Sequence, residues 1–348
     1  MKAAVYSFSR RGAFLSKKIR DFLSSIGYEV RIGTMPKYAA EAGIPAMSDH
    51  NASCAEDFVN CDAIVFVGSV GIAVRTIAPF IKSKLTDPAI ISMDECGTFI
   101  IPILSGHIGG ANDLARRLAE AVGGQACMTT ATDVNGLFSV DEWAARNNMV
   151  ITSLKAAKDF AAALIDGHTV GFFSEFPVIG SLPNHIIEDM DFKEGMAVTI
   201  DKIGRPFPDT LLLLPKIVHL GIGCRRDVSL SALEDLVLPE LEKLKIDMRS
   251  VAGISSIAIK KDEQGLLSFA KKYNLPVTFY SADELNSLEG DFSASAFVES
   301  VTCVGNVCER SAVLSSRGGR LILPKTTLIG ATLAVAVENI TLCFAKSD

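Results

Sequence analysis

The sequence predicts an α/β protein: two α/β units with mostly parallel, doubly wound, Rossmann-like sheets, joined by a small middle region. Three observations carry that expectation. Apolar runs of strand length recur, such as Ala63–Val67 (AIVFV), and a continuous run suits a strand covered on both faces. Runs with apolar residues at helical spacing alternate with them. Glycine-rich turns stand at the junctions, and β-α-β alternation of this kind gives a parallel sheet.

Taken in order, Lys2–Ser7 reads as the first strand. Leu15, Ile19, Phe22, Leu23 and Ile26 follow at helical spacing, and Gly27 stops that helix. Tyr28–Ile32 is the second strand and Ala63–Val67 the third, which runs through Gly68-Ser69-Val70-Gly71 into a helix expected over Ile72–Lys82. Ala89–Met93 and Phe99–Leu104 are further strands. If these two pair as a hairpin, the turn Asp94–Gly97 lies at the opposite end from Ser105–His107. Leu114, Leu118 and Val122 mark a helix that ends at Gly123-Gly124, and Ala126–Thr130 resumes strand. Together these form an N-terminal α/β domain over 1–135. Residues 136–215 are the middle region, with Trp143, an Ala-rich helix near Lys155–Ile165, the strand Thr169–Phe173, and loops marked by Pro177, Pro183, Pro206 and Pro208. The C-terminal α/β domain, 216–348, opens on the strand Ile217–Gly221. Its helices carry Leu230, Leu233, Leu236 and Val237, then Leu266, Phe269, Ala270 and Tyr273. Pro276–Tyr280, Arg320–Leu323 and Thr332–Val337 complete its strands.

At roughly 150 residues per domain, 348 residues make about two domains. An apolar fraction of 49% against 21% charged is ample for a core and argues against disorder. No apolar run approaches the roughly 18 residues of a membrane-spanning helix. Arg10, Arg11, Lys17 and Lys18 stand where the apolar part of a signal peptide would be. These features read as a soluble cytoplasmic protein with no membrane partner. A net charge of −6, one Trp and no Lys/Arg run argue against nucleic acid. An anionic ligand must then be met by local donors. The eight cysteines form no CxxC and read as free buried thiols. The five histidines show no HxxH or HExxH spacing, so no protein metal site is expected.

In open parallel sheets, ligands bind beyond the carboxyl ends of strands. Gly68, Ser69, Gly71 and Arg75 form one candidate there. Glycines let backbone N–H groups approach an anion, and the helix N-terminus adds a favourable dipole. The segment lacks GxxxxGK[ST] and a full GxGxxG, and reads equally as a tight strand-to-helix turn. The second candidate is Ser105-Gly106-His107-Ile108-Gly109-Gly110-Ala111-Asn112-Asp113. A histidine in a glycine turn ahead of an amphipathic helix can donate to a carboxylate or move protons near neutral pH. Asn112 and Asp113 are placed to cap the helix or to orient His107. A capping turn with a surface histidine is the plainer reading. Glu95 is a further acid–base candidate, and Thr129–Gly136, with Asp133, is a third polar junction. In the C-terminal domain, Gly221-Ile222-Gly223-Cys224-Arg225-Arg226 reads as a glycine turn beside two arginines, which suits bidentate recognition of carboxylates. Cys224 is either a thiol of lowered pKa or a small packed one. Lys260-Lys261-Asp262-Glu263 reads as a solvated face. No GxSxG elbow or other Ser-His-Asp order is present.

These motifs resemble the cobalt-precorrin-5A hydrolase family (CbiG) of anaerobic cobalamin biosynthesis. The resemblance rests on GIAVRTIAPFIKSKLTDPAII (71–91), DECGTFIIPILSGHIGGANDLARRLAE (94–120), TTATDVNGLFSVDEWA (129–144) and HLGIGCRRDVS (219–229). It continues through 257–285 and 304–314 to KTTLIGATLAVA (325–336). Departures are small: Asp227 stands where glycine is expected, and Arg310-Ser311 where small residues are usual.

The resemblance implies an anionic cobalt tetrapyrrole carrying a δ-lactone as substrate. The lactone is opened by water, and a two-carbon piece leaves as acetaldehyde. Cobalt belongs to the substrate, so no cofactor of the protein's own is implied. His107 is the expected proton-transfer group, with Glu95 or Asp113 as partner. Gly106, Gly109 and Gly110 are expected to donate amides. Gly68, Ser69, Gly71, Arg75, Ser105, Asn112, Asp133, Gly223, Cys224, Arg225 and Arg226 are the expected substrate contacts. Neighbouring pathway enzymes and a second copy of the chain are the other partners considered. Two readings stay open beside this one: a corrinoid carrier without chemistry, and a nucleotide- or sugar-phosphate-binding α/β protein.

Overall fold

In chain order the first elements are β1 (Lys2–Ser7), α1 (Arg10–Ser25), β2 (Glu29–Thr34), α2 (Pro36–Ala42), α3 (His50–Asn60), β3 (Ala63–Val67) and α4 (Val70–Ile77). They continue with β4 (Ala89–Met93), β5 (Phe99–Leu104), α5 (Ala111–Val122), β6 (Gln125–Ala126) and α6 (Ala131–Val134). The computed structural model describes residues 1–83, 86–106 and 109–344, which divide into two units, Met1–Glu142 and the chain from Trp143 onward.

The first unit has one six-stranded sheet of order β2-β1-β3-β4-β5-β6. The pairs β1–β2, β1–β3 and β3–β4 are parallel, while β4–β5 is antiparallel and β5–β6 parallel. Alternate residues of β1 and β3 face opposite layers, as the period of two requires. Val5 and Val65 pack with Ile19 and Leu23 of α1 and Leu114 and Leu118 of α5. Tyr6, Ile64 and Phe66 pack with Phe58 of α3 and Ile77 of α4. Helices on both faces explain why AIVFV carries no polar residue: all five positions are buried. Two expected boundaries move. The helix expected to reach Lys82 ends at Ile77, where Pro79 lacks the N–H that would continue it. The strand expected over Ala126–Thr130 is only Gln125–Ala126; Cys127 donates one more bond to the Ile100 carbonyl (2.8 Å), and Thr130 becomes the cap of α6.

The next elements are α7 (Val140–Arg146), β7 (Met149–Ile151), α8 (Leu154–Ile165), β8 (Val170–Ser174), β9 (Val178–Ile179), β10 (Ile186–Ile187), β11 (Glu194–Val198) and β12 (Asp209–Pro215). The middle region is therefore more than a connector. It holds its own five-stranded sheet, β10-β8-β11-β12-β7, parallel except for β7. Gly171 and Gly195 leave room for the buried Phe207 ring, which a Cβ at either would meet at 2.2 or 2.4 Å.

The rest comprises β13 (Val218–Cys224), α9 (Leu230–Lys243), β14 (Val251–Ile257), α10 (Gln264–Tyr273), β15 (Val277–Tyr280), α11 (Ala282–Asn286), α12 (Ala296–Thr302), α13 (Val307–Ser315), β16 (Arg320–Leu328), β17 (Ala331–Val337) and β18 (Leu342–Cys343). The sheet order is β15-β14-β13-β17-β16, with the first three parallel and the β16–β17 hairpin antiparallel. The chain end returns to the middle region. β18 pairs with β9, and the Trp143 indole donates to the Cys343 carbonyl (2.9 Å) while stacking on Phe344. Among the described residues, no helix is long and apolar enough to cross a membrane.

Candidate active site

The strand directions separate two candidate groups, as the hairpin considered from the sequence requires. β4 and β5 form a hairpin, so Asp94 and Glu95 sit at the carboxyl end of β4, beside the carboxyl ends of β1 and β3. Ser105 follows β5 at the opposite end of the sheet, about 20 Å away for a six-residue strand. Glu95 therefore cannot act on the same carbon as groups of the Ser105–Gly110 turn.

The Glu95 end is the point where the sheet order reverses, between β1 and β3. A cleft of about 410 Å³ opens there, lined by Phe8, Ser9, Gly68, Ser69, Ile72, Asp94 and Glu95. Gly68 is needed for the phenyl ring of Phe8, which a Cβ would meet at 3.0 Å. Ser69 is the N-cap of α4, yet its hydroxyl makes no capping bond. Arg75 is exposed and curls back to the Gly71 carbonyl (3.5 Å). Asp94 shapes the turn that presents Glu95. Partial burial pushes its carboxyl up, but bonds from the backbone N–H groups of Phe99, Cys96 and Thr98 win, and the net shift is downward.

The Ser105–Gly110 turn is built on close contacts. Ser105 is buried with a left-handed backbone (φ 58°), and its hydroxyl donates to the Asp87 carbonyl (2.8 Å). A Cβ on Gly109 would come within 2.3 Å of the Ser105 Cβ, and one on Gly106 within 2.7 Å of the Asn112 amide oxygen. Gly110 (φ 79°) is the N-cap of α5, with no side-chain capping bond. Asn112 does not cap the helix. It is 2% exposed, and its Nδ2 donates to Asp133 Oδ2 (2.8 Å) and Thr130 Oγ1 (3.2 Å). Asp133 also pairs with Arg116 and accepts from the Thr130 hydroxyl. Asp113 faces solvent instead, with Arg117 at 4.0 Å. His107 lies outside the described residues. Among the described residues, the N–H groups of Gly106, Gly109 and Gly110 have no carbonyl acceptor.

In the C-terminal sheet the structure corrects two expectations, the glycine turn and the Lys260–Glu263 face. Gly221 and Gly223 lie inside β13, not in a turn. They admit neighbours: a Cβ on Gly221 would fall 1.8 Å from the Cys308 carbonyl oxygen of α13, and one on Gly223 2.6 Å from Thr332 Oγ1. Arg226 is not free, since it pairs with Asp262 (2.8 Å) and holds that carboxyl below its usual range. Arg225 makes no side-chain bond to a protein acceptor among the described residues, and its stem lies against Gly330. Burial pushes the Cys224 thiol up to about 11 although Lys260 opposes it, so this is a protonated, packed thiol. Lys260–Glu263 is only half a solvated face: Lys261 and Asp262 are exposed, while Lys260 and Glu263 are buried, 3.6 Å apart. Asp227 adopts φ 59°, the left-handed conformation that glycine takes without strain. Of the cysteines, Cys96 and Cys303 are exposed and the other six buried or half-buried.

The fold also joins Ser315, His219 and Glu338, which lie far apart in sequence. His219 Nδ1 is 2.9 Å from Ser315 Oγ, and its Nε2 is 2.7 Å from Glu338 Oε1. Ser315 ends α13, where carbonyls point outward, so the helix offers an oxyanion no N–H donors there.

Comparison with known proteins bears on all parts of the chain. Residues 52–133 match the family model for the cobalamin synthesis G N-terminal domain. Residues 138–215 match the cobalamin biosynthesis central region, and 218–336 the cobalamin synthesis G C-terminus. The cobalt-precorrin-5A hydrolase of Salmonella typhimurium is 31% identical over 97% of this chain and 96% of its own. The chain belongs to the CbiG family. It is thus a hydrolase-family protein of cobalamin biosynthesis. The cobalt-precorrin-5A hydrolase of Priestia megaterium is 30% identical over 80% of the CbiG chain and 79% of its own. A solved cobalamin biosynthesis protein G homologue from Sulfolobus solfataricus covers 97% of both chains at 23% identity, with a TM-score of 0.42.

Reading the CbiG sequence missed Arg116 and the hydroxyl of Thr130 as parts of the turn's surroundings. Arg116 sits in a helix among ordinary surface cations, and only the fold brings Asp133 to it. The one local signal was the Thr-x-x-Asp spacing of Thr130 and Asp133, which puts both at the start of α6.

Proposed function

We propose that this chain opens the δ-lactone of cobalt-precorrin-5A with water and releases the two-carbon fragment as acetaldehyde, giving cobalt-precorrin-5B. The observation that carries the reading is the Ser105–Gly110 turn. Gly106 and Gly109 sit on contacts too tight for side chains, and among the described residues their backbone N–H groups have no carbonyl acceptor. Such donors suit the oxyanion of an acyl transfer, because they are fixed before the charge develops.

The reaction balances without a cofactor of the protein's own; cobalt enters as part of the substrate. Water adds to the lactone carbonyl, and the acyl–oxygen bond breaks. The water oxygen stays in the new carboxylate, and the ring oxygen becomes an alcohol. A base then takes the alcohol proton, the C–C bond breaks, and its electron pair enters the conjugated macrocycle, which takes up a proton. His107 is the proposed proton-transfer group for both steps. Glu95, at the other end of the sheet, is removed from that chemistry, and Asp113 has no part in the buried cluster. The macrocycle's carboxylates need cations in an acidic chain. Within the second unit, Arg225 is one such cation, its side chain making no bond to a protein acceptor among the described residues.

The test supplies the lactone-bearing cobalt intermediate to the purified chain and follows acetaldehyde with the absorbance change. Release of one acetaldehyde per corrinoid converted is expected. Tight binding of the intermediate without acetaldehyde would make the protein a carrier and overturn the proposal.

A further inference from the structure

We infer that Arg116, half-buried, and the buried carboxylate of Asp133 form a clamp that positions the described residues Ser105, Gly106, Gly109 and Gly110 for reaction, an inference that rests on the hydrolase reading above. Asp133 is the centre. Its side chain is 6% exposed, and its two oxygens have separate partners. Oδ1 takes the Arg116 guanidinium from α5, and Oδ2 takes the Thr130 hydroxyl and the Asn112 amide. Asn112 passes this order to the turn. Its backbone N–H donates to the Gly106 carbonyl (2.9 Å), and its amide oxygen stands where a side chain at 106 would go. The Ala111 N–H donates to the Ser105 carbonyl (3.1 Å), and Gly109 rests against Ser105. A continuous series of short contacts therefore runs from Arg116 through Asp133 and Asn112 to both ends of the turn.

Stability alone gives no reason for charge at this place. Arg116 keeps 30% exposure, and ion pairs that reach solvent typically add only about 0–1 kcal/mol. What a charge-assisted, multiply bonded carboxylate supplies is fixed geometry. Fixed geometry matters most where reacting groups must be held, since a misplacement of about 1 Å can cost about a hundredfold in rate. The same bonds revise an expectation: Asn112 and Asp133 are spent on the protein itself, so they are positioning residues, not substrate contacts.

The test uses the full chain and the variants D133N, R116A and R116K, with two readouts. In acetaldehyde-release kinetics, D133N and R116A are expected to lower kcat about 10–100-fold with KM within about twofold, and R116K to recover most of the loss. In amide hydrogen exchange without substrate, the 106–112 segment is expected to exchange faster in D133N and R116A, with the remainder of the chain unchanged. Native kcat in folded D133N and R116A would overturn the clamp. So would a rise in KM alone, which marks a substrate contact. If the wild-type chain releases no acetaldehyde, the hydrolase reading fails, and the exchange experiment judges the clamp by itself: unchanged exchange in both variants overturns it.

Discussion

Replacing His107 with alanine is expected to lower turnover about 10²–10⁴-fold, with the melting transition and the affinity for the cobalt intermediate unchanged. The range is what a positioned proton-transfer group contributes. The expectation draws on the neighbours of His107. Ser105 bonds to Asp87 and Ala111, Gly106 bonds to Asn112, and Gly109 rests against Ser105. Removing the imidazole therefore takes away chemistry and leaves those contacts. The amides of Gly106, Gly109 and Gly110 remain, so a residual rate above the uncatalysed one should persist. Steady-state acetaldehyde release beside a thermal melt checks this. Native turnover in a folded H107A protein would remove His107 from the role and leave the turn as a binding element alone.

Gly221→Ala is expected to destabilise the C-terminal sheet by about 3 kcal/mol, at the upper end of overpacking costs. The added methyl would lie 1.8 Å from the Cys308 carbonyl oxygen and 2.9 Å from the Ala312 Cβ. Neither is the free end of a flexible side chain, so α13 as a whole must move off β13. That helix has more to lose. Its Glu309 is 1% exposed and accepts from the Ser293 backbone N–H, the Ser293 hydroxyl and the Lys325 backbone N–H. A shift of α13 would strain all three bonds together. Chemical denaturation of the G221A protein checks the value. An unchanged midpoint would mean that α13 does not lie on β13 as described.

The parts of the fold that were legible are those where burial and residue type agree. AIVFV is buried on both sides and apolar throughout, and α1 shows its buried stripe at helical spacing. β14 was missed because its run Val251–Ile257 is broken by Gly253, Ser255 and Ser256. Those serines are buried all the same, their hydroxyls donating to the Leu220 and Ile222 carbonyls. α13 was missed for a related reason: it buries Cys308, Glu309, Ser311 and Ala312, a face of small and polar residues with little apolar periodicity. At the candidate site, the glycine turn was legible from composition. The direction of its partners was not, since Asn112 and Asp113 are adjacent in sequence yet one is buried and the other faces water. In the sequence the hairpin at Asp94–Thr98 is a condition, and the antiparallel pairing of β4 with β5 meets it and separates Glu95 from the turn. Lys260 looks like a surface cation until the fold buries it beside Glu263.

The central claim is that water opens the lactone before the two-carbon piece leaves. Turnover of the lactone-bearing cobalt intermediate in heavy-oxygen water tests it most directly. The account predicts one heavy oxygen in a carboxylate of the corrinoid product, and acetaldehyde that, trapped as it forms, carries the light oxygen of the former lactone ring. A corrinoid product with no heavy oxygen, formed while acetaldehyde is released, would contradict it.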